Sequence, residues 1–255
     1  MNRYDRFLEL YESENPFLLG NVWDVSSARI MAESGFKALG TSSAAIAHSL
    51  GYEDGEQMSF DELLFMVERI TRTTDFPLSV DIEGGFDRDP QEIVKHIEAL
   101  HRFGVVGINL EDSVVTDRRS LLDMKSFSEI IKEISSNLKS RKIKMFLNIR
   151  TDTYLLPAEN PLKETLTRLP AYEESGADGI FIPCITDEED IARVVRSTGL
   201  PVNVMCMPGL PSFYRLKELG VKRISMGNAI HQKLMESMKG LCQTIQQEQS
   251  FQSLF

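Results

Sequence analysis

Four carboxylates stand in two tight groups in this 255-residue chain, Asp81-Ile82-Glu83 in PLSVDIEGGF and Glu111-Asp112 in GVVGINLEDS. Each group closes an apolar, β-branched run, and the i, i+2 spacing of Asp81 and Glu83 aims both side chains to one face of an extended chain. Carboxylates gathered at one rim repel each other unless a cation joins them. Hard oxygen ligands with room for water suit Mg²⁺, or Mn²⁺. The plain alternative is a set of solvated strand ends, but few basic residues lie nearby in the sequence to neutralise them.

Other run ends carry polar groups that suit a small anion. Gly40-Thr41-Ser42-Ser43-Ala44 is a turn of small residues whose backbone N–H groups and hydroxyls could receive a carboxylate or a developing oxyanion, or could simply cap a helix. Arg150, in Asn148-Ile149-Arg150-Thr151-Asp152, offers a guanidinium for bidentate carboxylate recognition, with pairing to a neighbouring Asp as its structural alternative. Asn203, in Pro201-Val202-Asn203-Val204, is placed to hydrogen-bond a substrate. His48, His96, His101 and His231 share no motif and read as surface or packing residues.

The elements that must position these groups alternate. Eight apolar runs read as strands: Phe17–Val22, Ala38–Ser43, Pro77–Glu83, Val105–Asp112, Met145–Asp152, Gly179–Cys184, Pro201–Cys206 and Val221–Gly227. Amphipathic stretches between them, such as Phe60–Thr74, Asp89–Phe103, Lys125–Leu138, Pro161–Ser175 and Glu188–Ser197, read as helices. Strict alternation implies a parallel sheet, and eight units in this length imply one closed α/β domain over residues 1–255, a (β/α)₈ TIM barrel. No glycine-rich dinucleotide turn follows the first strand. The phrases GFKALGTSS, GVVGINLEDS, GADGIFIPC and GVKRISMG repeat a Gly-then-strand pattern expected of successive barrel units. Ala229–Phe251 reads as a long final helix, apolar at Ile230, Leu234, Met238, Leu241 and Ile245, so residues 228–255 are expected to pack on a partner subunit.

Composition narrows the classes. A net charge of -10, from 38 acidic against 28 basic residues, argues against general affinity for nucleic acid or an anionic membrane. Three cysteines, Cys184, Cys206 and Cys242, lack metal or disulfide spacing and suit a reducing cytoplasm. The charged, amphipathic N-terminus is unlike an export leader, and no apolar run approaches the roughly 20 residues of a membrane span.

With these residues in view, the chain resembles the isocitrate lyase and phosphoenolpyruvate mutase superfamily over nearly its whole length. The phrases that carry the resemblance are NVWDVSSARIMAESGFKALGTSSAAIAHSLGYEDGE, PLSVDIEGGF, GVVGINLEDS, NIRTD, GADGIFIPC, PVNVM and LGVKRISMGN. The resemblance implies a barrel with a C-terminal helix swapped between subunits, a homotetramer built as a dimer of dimers, and Mg²⁺ with a pyruvate-like ligand. It implies that Ser42, Ser43 and Ala44 hold the 2-oxo acid's carboxylate. It also implies that Asp81 meets the metal directly, with Glu83 and Glu111 acting mostly through water, and that Arg150 clamps substrate. Asp54, in GYEDGE, matches an acidic residue beside the family's active site. Two departures stand out: Phe86-Asp87 where Tyr-Gly is frequent, and the loop Ser113–Ser120, which has none of the lysine, cysteine, histidine or asparagine that family lyases and mutases carry there.

The expectation is therefore a Mg²⁺-dependent enzyme that forms an enolate from a small 2-oxo acid. Without a loop acid or base, decarboxylation of an oxaloacetate-like acid is favoured over retro-aldol cleavage. The alternatives are a phosphoenolpyruvate or phosphonopyruvate-type C–P mutase or hydrolase and, from another class, a non-catalytic 2-oxo acid-binding barrel.

Overall fold

The structure is a computed structural model that describes residues 1–157 and 159–255. Its first half runs α1 (Arg3–Glu12), β1 (Phe17–Val22), α2 (Val25–Glu33), β2 (Ala38–Thr41), α3 (Ser43–Leu50), α4 (Phe60–Thr73), β3 (Leu78–Asp81), α5 (Pro90–Arg102) and β4 (Gly107–Glu111). A short hairpin follows, β5 (Ser113–Val115) and β6 (Arg119–Leu121), then α6 (Met124–Ser140), β7 (Phe146–Arg150), α7 (Pro161–Glu174) and β8 (Gly179–Ile182). The chain ends with α8 (Glu188–Arg196), β9 (Val202–Met205), α9 (Phe213–Glu218), β10 (Arg223–Ser225) and α10 (Ala229–Glu248).

The eight expected strands all form and pair in parallel around a closed barrel in the order β1-β2-β3-β4-β7-β8-β9-β10, with β10 returning to β1. This is the (β/α)₈ barrel. Most runs are trimmed where polar residues leave the ladder. The second strand stops at Thr41 because Ser42 turns to cap α3, and the third stops at Asp81, after which Glu83 takes a left-handed φ of 50°. The helices start where side-chain oxygens take the first free N–H groups, as with the Ser59–Glu62 capping box of α4 and Asp89 at α5. Their apolar faces, among them Leu63, Val67, Ile97 and Ile134, close over the outside of the barrel.

The N-terminal end of the barrel is plugged by α1. Phe7 is fully buried among Phe17, Leu19, Ala38, Val106 and Phe146, and the Tyr11 ring stacks on Phe146 at 4.5 Å. The final helix is the opposite case. His231 is its one buried residue, and Leu234, Met235, Met238 and Leu241 are exposed. No helix among the described residues is long and apolar enough to cross a membrane.

Candidate active site

Strand ends and the N-terminus of α3 converge on a cavity of about 190 Å³ at the C-terminal end of the barrel, where enzymes of this fold place their chemistry. Ser42, Ser43, Asp54, Asp81, Asn109 and Arg150 are among the residues that line it. A larger hollow of about 570 Å³ opens between α3 and α10 and shares Ala44, Asp54 and Asn228 with it.

Sheet register brings the strand-end groups to one rim. Asp81 at the end of β3 pairs beside Asn109, and Glu111 at the end of β4 pairs beside Arg150. Asp81 is buried; its Oδ2 accepts from Ser43 Oγ at 2.8 Å, while its Oδ1 has no hydrogen-bond partner. Glu83 Oε2 accepts from the Glu56 N–H at 2.6 Å, and its Oε1 is likewise buried and unpartnered. Glu111 accepts from Ser113 Oγ at 3.0 Å and is ion-paired with Arg119 through Oε1. Arg150 Nη1 stands 3.0 Å from Glu111 Oε2 without hydrogen-bond alignment.

Burial raises all three acids. Glu83 is pushed up to about 9 by burial and by Asp54, Asp81 and Glu111. Glu111 is pushed up to about 7, with burial outweighing Arg150 and Arg119, and Asp81 is raised mainly by burial. Buried oxygens without donors, on acids that resist ionising together, fit a cation at this rim. Among the described residues no three His, Cys, Asp or Glu side chains stand close enough to enclose a metal. The unpartnered Asp81 Oδ1 and Glu83 Oε1 are the oxygens such a cation would use, with water completing its shell. The left-handed backbone of Glu83 costs about 1–3 kcal/mol, a strain that accumulates at functional positions.

Ser42 is the N-cap of α3, its Oγ accepting from the Ala45 N–H at 3.3 Å. The cap therefore exists, and it coexists with the anion-receiving geometry: the first N–H groups of a helix have no intrahelical partner, and Ser43 and Ala44 line the cavity.

Arg150 is gripped by Asp152, with Nε to Oδ1 at 2.6 Å and Nη2 to Oδ2 at 3.1 Å, and its guanidinium lies 5.9 Å from the Phe181 ring centroid. Asp152 is held in turn, its N–H donating to Asp112 Oδ1 at 3.0 Å, while Asp112 Oδ2 takes Thr151, Tyr172 and Arg168. Asn203 is not a lining residue. It sits one layer down, its amide nitrogen donating to the carbonyls of Val204 and Arg223. The histidines outside the rim pack: His96 stacks on Phe60 at 3.9 Å, and buried His231 meets Trp23 and His48 edge-on.

Two side chains beyond the predicted site residues are part of the rim. Asp152 sets Arg150. Arg119, on β6, reaches Glu111, Ser113 Oγ at 3.0 Å and, through Nη2, Asp54 Oδ2 at 3.0 Å. The loop that carries no lysine, cysteine or histidine is a β-hairpin that brings in a guanidinium. It packs on the Asp54 turn, where a Cβ on Gly55 (φ 115°) would meet Val115 at 2.9 Å. Val114-Val115 and Ser120-Leu121 about Thr116-Asp117-Arg118 were the signal for it.

The family model for phosphoenolpyruvate phosphomutase matches residues 7–246. An uncharacterized protein of Mycobacterium tuberculosis is 34% identical over 222 residues, 87% of this chain and 81% of its own length. An oxaloacetate decarboxylase of Pseudomonas fluorescens is 28% identical over 232 residues, 88% of this chain and 78% of its own. Among solved structures, a Burkholderia cenocepacia protein provisionally named a phosphonomutase is 35% identical with a TM-score of 0.89, covering 94% of this chain and 99% of that one. A 2,3-dimethylmalate lyase, 22% identical with a TM-score of 0.87 over 98% of this chain and 89% of that one, shares the fold.

Proposed function

The chain belongs to the phosphoenolpyruvate phosphomutase family, within the superfamily that also holds isocitrate lyase, and on that premise we propose that it is a Mg²⁺-dependent enzyme decarboxylating an oxaloacetate-like 2-oxo acid. The observation that carries the proposal is the buried, unpartnered Asp81 Oδ1 in the wall of a small cavity that Arg150 and the first turn of α3 also line, with a second unpartnered oxygen, Glu83 Oε1, behind that lining. The decarboxylase relatives at 28% identity supply the substrate class.

In this reading Asp81 would be the direct ligand of Mg²⁺ or Mn²⁺, with Glu83 and Glu111 acting through water. The cation, when bound, supplies Lewis-acid polarisation of the 2-oxo group. The N–H groups of Ser43 and Ala44 and the Ser42 hydroxyl would hold the C1 carboxylate. Arg150 would clamp it with the N–H groups Asp152 leaves free, and Asp54 would border the reacting end. As the C3–C4 bond breaks, its electron pair passes into the enolate, CO₂ departs, and water protonates C3. No side-chain base is required, which accords with a hairpin lacking Lys, Cys and His.

A C–P mutase or hydrolase is the second reading, favoured by the family model's own description and by Arg119, whose charge beside the cluster would suit a phosphoryl group. The test is oxaloacetate turnover with protein and Mg²⁺ compared with Mg²⁺ alone and with Arg150→Ala. A protein-dependent rate lost in the variant supports decarboxylation. No such rate, with turnover of phosphonopyruvate or phosphoenolpyruvate, transfers the assignment to the mutase class.

The exposed apolar stripe of α10, Leu234, Met235, Met238 and Leu241, supports packing of residues 228–255 on a second copy and a homotetramer. Light scattering that gave only monomer at micromolar concentration would count against it.

A further inference from the structure

Polar side chains fill the barrel lumen directly beneath the cavity, where aliphatic layers are usual: Asn109 from β4, Asn148 from β7, Asn203 from β9 and Arg223 from β10. Arg223 has no exposed surface. Its Nη2 donates to Asn109 Oδ1 at 2.8 Å and its Nη1 to the Tyr11 hydroxyl at 3.2 Å, while its Nε has no partner. No carboxylate oxygen stands within 4.0 Å of the guanidinium among the described residues. A buried cation without a counter-ion is costly, and the cavity above is where an anion would offset it.

The hydrogen bonds also fix which way Asn109 faces. Arginine has donors and no acceptor, so the Asn109 atom turned to Arg223 must be the oxygen. That oxygen also takes Asn148 Nδ2 at 2.8 Å. Asn203 is equally irreversible: its Nδ2 donates to the carbonyls of Val204 at 2.7 Å and Arg223 at 3.2 Å, which leaves its Oδ1 for Asn148 Nδ2 at 3.4 Å. Both N–H groups of Asn109 are left for the cavity that Asn109 lines.

We propose that Arg223 is a positioning residue of the substrate site: it turns the Asn109 amide donors toward the ligand and gives the cavity floor a positive charge that selects a doubly charged 2-oxo acid over a singly charged one. This rests on the 2-oxo acid reading of the site given above. Orientation and charge act on one ligand face, and the rim side chains Asp81, Glu83, Glu111 and Arg150 are unchanged in both Asn109→Asp and Arg223→Met.

The test is calorimetric binding of oxalate, a dianion, and pyruvate, a monoanion, to the full chain with Mg²⁺. Asn109→Asp is nearly isosteric, sets a carboxylate against Arg223 and removes both donors, so the fold should persist with an unchanged or higher melting temperature. Oxalate affinity is expected to fall about tenfold to a hundredfold, the worth of a charge-assisted hydrogen bond, and pyruvate affinity by less than about threefold. Arg223→Met, of similar reach and uncharged, should shift the ratio in the same direction; if it does not fold, Asn109→Asp decides alone. An oxalate-to-pyruvate ratio unchanged in folded Asn109→Asp overturns the inference and leaves the 2-oxo acid reading standing. Wild-type protein that binds neither ligand removes both.

Discussion

At the N-terminal end of the barrel, Phe7 and Tyr11 of α1 meet Phe17 and Phe146 edge-on or stacked, with ring centroids between 4.5 and 6.1 Å apart. At the C-terminal end, Asp81, Glu83 and Glu111 are buried at one rim, each with a carboxylate oxygen that has no hydrogen-bond partner, and Arg150 and Arg119 pair with Glu111. The same strands run through both regions, so the difference lies in what each end is for. Aromatic packing is complete without a ligand and stabilises the closed barrel. The charged rim is incomplete on its own terms and makes physical sense with a cation and an anion added. Substitutions at the two ends should therefore fail in different ways: loss of function without loss of fold at the rim, loss of fold at the plug.

The largest expected effect is at Asp81. Asp81→Ala should lower Mg²⁺-dependent turnover by about a thousandfold or more, because Lewis-acid stabilisation is worth several kcal/mol. Its melting temperature should change little, since relief of carboxylate repulsion offsets the lost bond from Ser43. Activity retained in excess chelator would break the comparison at its root.

Phe7→Ala is the mirror experiment. Phe7 is fully buried, and removing it leaves a cavity among Phe17, Val106 and Phe146, which costs about 3–4 kcal/mol. Urea midpoints should fall accordingly, while oxalate affinity of the fraction still folded stays near wild type. A variant with normal stability but no ligand binding would show that the plug serves the site.

pH separates the ends without mutation. Glu83 near 9 and Glu111 near 7 both stand above the ordinary value of 4.5, so the metal-free folded chain holds more protons than the unfolded chain between those limits. The sign follows: their stabilising contribution is complete below about 4.5 and is lost as pH rises, Glu111's through about 7 and Glu83's through about 9. In chelator, the melting temperature should fall as pH climbs through that window; saturating Mg²⁺ should flatten the slope by favouring the ionised acids. Equal slopes with and without Mg²⁺ would mean that these carboxylates do not meet the cation.

The barrel was legible because apolar strand runs recur eight times, four of them behind a glycine that closes the preceding helix, and the rim because the acids fall at the ends of successive strands with few basic residues nearby in the sequence. What escaped depends on closure in space. Arg150 is bound by Asp152, two residues on, and the choice between that pair and a free clamp turns on Asp112 holding Asp152 from the neighbouring strand. The hairpin that aims Arg119 at Glu111 was not foreseen, because a three-residue strand pair gives almost no periodic signal and Ser113–Ser120 read as a loop. Asn203 has the expected strand but the wrong depth: its amide is spent on the carbonyls of Val204 and Arg223. Arg223 meets Asn109 across 114 residues of chain, a contact that exists only because β10 and β4 face each other through the lumen.

The smallest expected effect is the most direct test of whether the two ends are independent. The Tyr11 hydroxyl is the hydrogen bond that links the aromatic plug to Arg223, at 3.2 Å from Nη1. Tyr11→Phe keeps the ring on Phe146 and Phe17 and deletes this bond alone. Leaving one buried N–H group of Arg223 unpaired should cost about 1 kcal/mol, a fall of about 2–4 °C in melting temperature for a chain of this size. The contact that orients Asn109 runs through Nη2, on the other arm of the guanidinium, and is untouched. The oxalate-to-pyruvate affinity ratio should accordingly match wild type. A reduced ratio would mean that the plug sets the guanidinium's position, and that the aromatic end of the barrel reaches the site through Arg223.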